Sequence, residues 1–224
     1  MTRSIIPLVL LIAAQQAAAQ DRVEIRGADS ETAARVAEIA AEAKSRGLPA
    51  DPVLNEARLG ALHGVQSAKI LTAARGVASR LEIARTALQP APSEAEITHG
   101  AEALKYGISE AVLRDIKKVS KGPVTVPIAV LIQLVAEPTK MQVKRASRIV
   151  LELIQRGADT KMIAALGNDV NSDVALGISL NESLAFRINA LQPLLGPAAA
   201  GAETAADALT QGLGPASAPG RKKP

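Results

Sequence analysis

Tyr106-Gly107-Ile108-Ser109 decides the fold class. A glycine that follows a helix can take the left-handed backbone conformation that other residues avoid. The apolar residue after it folds back on the last turn, and a serine next in line caps a new helix. The plan recurs at Gly47-Leu48-Pro49, Gly64-Val65-Gln66, Gly157-Ala158-Asp159 and Gly177-Ile178-Ser179. Leu54, Ile70, Leu113, Ile163 and Leu184 follow six or seven residues after the respective glycines. One helix-to-helix corner is thus written five times, with Gly47/Gly64 and Gly157/Gly177 as close pairs. The intervals of 17, 43, 50 and 20 residues are too uneven for a strict repeat. The expectation is an all-α fold: an irregular multi-helix bundle or a short α-solenoid-like helical array with glycine-terminated corners.

The segments between corners agree. Apolar residues recur at helical spacing from Ser30 to about Arg46, and again from Ser67 to Leu88. Asp51-Pro52 opens a shorter helix ending at His63. Ser93 with Glu96 and Thr139 with Gln142 read as capping boxes. A helix over Pro127–Glu137, apolar on most sides, reads as buried core. The stretch from Val124 to Ala136 is too short and too interrupted for a membrane span, which needs roughly 20 residues. Two or three short helices complete the chain to about Leu191.

Composition supports this. Of 224 residues, 48% are apolar, yet there is one Phe, one Tyr and no Trp, so helix formers dominate and aromatic strand formers are nearly missing. There is no cysteine, which excludes disulfides, zinc–thiolate sites, iron–sulfur clusters and thiol catalysis. Tyr106 and Phe186 are expected to pack in the core or at a corner.

The N-terminus reads as a cleavable secretory signal over residues 1–19. Arg3 supplies the positive region, Ile5 to Ala14 the apolar region, and Ala17-Ala18-Ala19 the small residues before cleavage at Gln20. A polar leader (20–29) precedes a single helical domain (30–192). An Ala/Gly/Pro-rich tail with a basic end (193–224) is expected to be disordered. The signal is of bacterial type and implies a periplasmic or secreted protein.

No catalytic, cofactor-binding or metal-binding motif emerges. His63-Gly64 and His99-Gly100 both read as helix C-termini, where imidazole complements the helix dipole. Phosphate loops, nucleophile elbows and zinc-protease motifs do not occur. Asp169-Val170-Asn171-Ser172-Asp173 has oxygen side chains at alternate positions, as in calcium loops. It lacks the glycine and the closing glutamate, so a polar helix junction capped by Asn171 or Ser172 is expected there instead.

The positive signal is charge. Nine cations face three acids between residues 105 and 148. Lys117, Lys118, Lys121, Lys140, Lys144, Arg145 and Arg148 form the candidate surface for an anionic partner. Lys140, Lys144 and Arg148, four apart, are expected on one helical face. Nucleic acid is disfavoured by export and by the shortage of stacking aromatics. The sequence therefore favours an exported, non-enzymatic binding or scaffold protein of the cell envelope. Its partner would be a protein or another anionic envelope component. The competing readings are an exported hydrolase with a carboxylate site, and a peripheral binder of anionic membrane.

Overall fold

The structure, a computed structural model, describes residues 25–197. The stretch read as a signal peptide (1–19), the first residues of the leader and nearly all of the C-terminal stretch from 193 lie outside the described residues. Within them the chain is all α, a multi-helix bundle of nine helices: α1 (Ser30–Ser45), α2 (Asp51–Leu62), α3 (Ser67–Ala87), α4 (Glu94–Lys105), α5 (Glu110–Val119), α6 (Thr125–Val135), α7 (Val143–Gln155), α8 (Thr160–Ala175) and α9 (Leu180–Leu191). A 3₁₀ turn, Gln192–Leu194, comes last.

All five corner glycines adopt positive φ, between 65° and 89°. Each corner closes with the same pair of backbone bonds. At Gly107 the glycine N–H donates to Leu104 and the Ile108 N–H reaches back to Ala103. This is the Schellman arrangement, which satisfies carbonyls that a helix end leaves open. Leu48 and Ile108 are buried by folding back in this way, whereas Val65 and Ile178 stay exposed.

Several caps differ from expectation. Asp29, rather than Ser30, caps α1 by accepting the Thr32 N–H at 2.8 Å. Its other oxygen accepts the hydroxyls of Thr32 and Ser67, joining α1 to the start of α3. The Thr32 N–H, then the Ser67 and Thr32 hydroxyls, hold its carboxyl down at about 2. Ser67 is therefore a strut, and Gln66 occupies the cap of α3. Ala50 occupies the cap of α2, with Asp51 already helical. Thr139 caps nothing. Its hydroxyl donates to the Gln133 and Ala136 carbonyls, Lys140 sits at φ 47°, and α7 begins only at Val143.

The main packing contacts follow chain order. α1, α2 and α3 pack on one another, then α3 on α4 and α5, α4 on α6, α5 on α6 and α7, α6 on α7 and α8, and α8 on α9. Buried apolar side chains form two clusters. One gathers α1 to α4, and the other runs from the ends of α3 and α4 through α6 to α9. α6 lies in the second, burying Pro127, Ile128, Val130, Leu131, Ile132 and Leu134, as expected of a core helix. No described helix is long and apolar enough to cross a membrane.

Gly100 does not end a helix. It lies inside α4, where an added Cβ would come within 2.9 Å of Ala84 on α3, so the glycine permits the close crossing of the two helices. His99 is accordingly mid-helical, its Nδ1 at 2.9 Å from the Ala95 carbonyl, while His63 does sit at the C-terminal end of α2. The two aromatics are not core residues. Tyr106 is 40% and Phe186 67% exposed, and the Arg187 guanidinium lies 5.4 Å from the Phe186 ring centre.

Candidate functional site

α7 (Val143–Gln155) carries two rows of side chains at four-residue spacing. Val143, Ser147, Leu151 and Gln155 form one, and Lys144, Arg148 and Glu152 the other. Its core face is a third row built on Ala146, Ile149, Val150 and Leu153. With Val112 of α5 and the corner residues Gly107 and Ser109, the first two rows line a groove of about 620 Å³. Val112, Val143 and Leu151 make it apolar, and Lys144 and Arg148 make one side of it cationic.

Two groups in this groove lack hydrogen-bond partners. Ser147 is 5% exposed, and its hydroxyl has none. Neither oxygen of the buried Glu152 carboxylate has one. Arg156 comes within 3.6 Å of Glu152, which is within Coulombic reach but too long for a hydrogen bond. Buried polar groups are normally satisfied, and leaving one unmade costs about 1–3 kcal/mol.

Of the seven cations nominated from sequence, two line the groove, Lys144 and Arg148. Lys140 is not on their helix, and it pairs with Glu137 in the α6–α7 connection. Lys118 and Lys121 are exposed outside the groove lining. Lys117 is committed to structure: its ammonium lies 3.1 Å from the buried Glu96 carboxylate. Arg145 is half-buried, and its Nε and Nη2 are buried without partners. Burial pulls its guanidinium below the ordinary arginine range. Arg145→Met should therefore stabilise the protein by about 1 kcal/mol, because an uncompensated polar burial is removed at similar volume. A thermal melt checks this, with a higher Tm expected.

The acidic run on α8 also has a structural role. α8 passes through Asn171 and Ser172 without a junction. Asp173 accepts the Ser183 hydroxyl at 2.7 Å and a two-pronged contact from Arg187 at 3.0 and 2.9 Å. Arg187 also reaches Asp169 at 3.0 Å. Hydrogen bonds from Arg187, then from Ser183, hold the Asp173 carboxyl below its ordinary value. These bonds join α8 to α9, and no group of three or more potential metal ligands occurs among the described residues. A second, smaller pocket between α1 and α3 is lined by Glu42, Arg46 and Glu82, which pair among themselves and with Arg85.

The sequence reading missed Val143, Ser147, Leu151 and Gln155. The signal was present, since Val143 and Leu151 lie off the core row of α7 and at the same spacing as the cations. Among the groove-lining residues Glu152 is the sole carboxylate, so the pair a hydrolase would use is not assembled there.

No protein-family model matches the chain, and no curated protein or solved structure is significantly similar to it.

Proposed function

We propose that this is an exported, non-enzymatic binding or scaffold protein of the cell envelope, and that it docks an acidic, amphipathic segment in the groove between α5 and α7. One observation carries the reading: an apolar groove holds the unpartnered Ser147 hydroxyl and Glu152 carboxylate beside Lys144 and Arg148. A segment with an apolar stripe would cover Val112, Val143 and Leu151. Carboxylates on its flank would meet the two cations, and its own donors would satisfy Glu152. Helix-in-groove recognition works by this combination. Export rests on Arg3, the apolar run Ile5 to Ala14 and the small residues Ala17 to Ala19.

The test is a pull-down with the full chain from an envelope extract at low and high salt, beside Lys144→Glu/Arg148→Glu. Charge steering at the rim of a groove is screened by salt, and like charges placed opposite one another cost several kcal/mol. A partner should be captured at low salt and weakened at high salt. The variant should lose at least about tenfold in capture while its circular dichroism stays helical. Equal capture by parent and variant would rule out this groove as the docking site.

A further inference from the structure

We infer that the segment docked in the groove is α9 of a second copy of this chain, each copy lending its α9 to the other. The inference rests on reading the groove as a docking site, and it names the occupant.

The first observation is where uncovered apolar surface lies. Among the described residues nine large apolar side chains are exposed, and four of them, Leu176, Ile178, Phe186 and Leu194, fall within the stretch 176–194. Phe186 is 67% exposed, and the Arg187 guanidinium lies 5.4 Å from its ring centre. Arg187 is itself held by Asp169 and Asp173, so the ring rests on a fixed cation. A side chain fixed before contact loses little freedom on docking, and buried aromatic anchors carry much of the energy of an interface.

The second is the row that carries this ring. Glu182, Phe186 and Asn189 are exposed and follow at intervals of four and three, so they share one face of α9. In order, that face presents an acid, an apolar anchor and an amide. Along α7 the groove presents their complements in the same order. These are the Lys144 cation, the apolar lining with Leu151 and, from α5, Val112, and the Glu152 carboxylate that lacks donors.

The spacing agrees. Glu182 to Asn189 spans about 10 Å along a helix, and Lys144 to Glu152 about 12 Å. With α9 laid parallel to α7, Glu182 meets Lys144, Phe186 enters between Val112 and Leu151, and the Asn189 amide donates to Glu152. Glu182 already accepts the Ser179 hydroxyl at 2.6 Å, and a carboxylate has further acceptor sites for the ammonium.

Charge agrees as well. Nine cations stand against three acids from 105 to 148, whereas beyond Lys161 the described chain sets Asp169, Asp173 and Glu182 against Arg187 alone. Stretches of opposite sign favour the encounter. Both faces belong to one copy, so a pair that exchanges α9 closes about a two-fold axis and fills two grooves at once. The chain thus completes its own site, and any outside segment competes with α9 for it.

The test is sedimentation of the full chain over a range of concentrations at low and high salt. Four variants are run beside the parent: Phe186→Asp, Lys144→Glu, Glu182→Lys, and Lys144→Glu/Glu182→Lys. The parent should form dimers, less tightly at high salt. Phe186→Asp should raise the Kd at least about tenfold, while its circular dichroism stays helical because the ring lies outside the core. Each charge reversal should weaken the dimer about threefold, and their combination should recover most of that loss, which requires the two residues to meet. A parent that stays monomeric at low salt up to about 1 mM would overturn the inference. So would dimers that Phe186→Asp leaves unchanged, or a combined variant no tighter than the single reversals. The two readings separate. If the parent is monomeric while Lys144→Glu/Arg148→Glu still loses its captured partner, only the α9 assignment falls. If that variant captures as the parent does, the groove reading falls and takes this one with it.

Discussion

Glu96→Ala is expected to be the most damaging single substitution, with a loss of about 3–5 kcal/mol, on the order of a 10 °C fall in Tm. Glu96 is 4% exposed. One oxygen accepts the Ser93 N–H at 2.9 Å, completing the capping box of α4. The other accepts the Val124 N–H at 3.0 Å, where α6 begins, and the Lys117 ammonium of α5 at 3.1 Å. One carboxylate thus fastens three helices. Its loss leaves a buried N–H and a four-fifths-buried ammonium without a partner, which costs far more than a surface pair. Glu96→Gln keeps the shape and one acceptor, and should fall between. The same site sets an acid limit. Burial alone would raise the carboxyl, but the Val124 and Ser93 N–H groups and Lys117 outweigh it and hold it below the ordinary value. A depressed folded value gives stability that is complete above the unfolded value and lost as pH falls through the folded one. Acid unfolding followed by circular dichroism should therefore be shallower in Glu96→Gln than in the parent. An unchanged acid limb would remove Glu96 from this role.

Gly167→Val should cost about 3 kcal/mol, although a helix normally gains from losing a glycine. A Cβ at 167 would lie 2.9 and 3.0 Å from the methyls of Val130 and 2.7 Å from the Gln133 amide oxygen. Gln133 could turn aside. Val130 is 3% exposed and fixed in α6, so the α6–α8 crossing must open instead. Gly76 provides the opposite sign. Mid-way along α3, an added Cβ there meets only the far end of Arg80, at 3.4 Å. Gly76→Ala should therefore stabilise by about 0.5–1 kcal/mol through backbone entropy alone. Parallel urea titrations test both. Equal shifts of the same sign would mean that propensity, not the crossing, governs these sites.

The helices and their corners were legible because both signals are local. A glycine that must be left-handed and a serine or aspartate that must cap, as at Gly107-Ile108-Ser109 and Asp159, are decided within a few residues. What went astray depends on residues distant in sequence. His99-Gly100 looks like a helix end until Ala84 of α3 is brought against it. Thr139 looks like a cap until its hydroxyl finds Gln133 and Ala136. Charge was the least transferable signal. Lys117 and Lys144 look alike in the sequence, and only the tertiary position of Glu96 makes one a buried strut and the other part of a groove rim. The groove needed α5 to be placed beside α7, which no spacing along α7 could supply.

The packing order of the helices has a bearing on how the chain reaches this structure. Its main contacts join each helix to the next one or two in sequence, so no distant segment must be found before a nucleus can form. Closing short loops costs little entropy, and chains of such low contact order fold quickly. α3 and α4 contribute to both apolar clusters, and they form the wall where growth from either end meets. The first cluster draws on α1 to α4 alone, so the far end can open without dissolving it. α7 and the 3₁₀ turn, held by the bond from Arg156 to Gln192, lie in that later half. The groove beside α7 therefore belongs to the half of the molecule that can loosen while the first cluster stays closed.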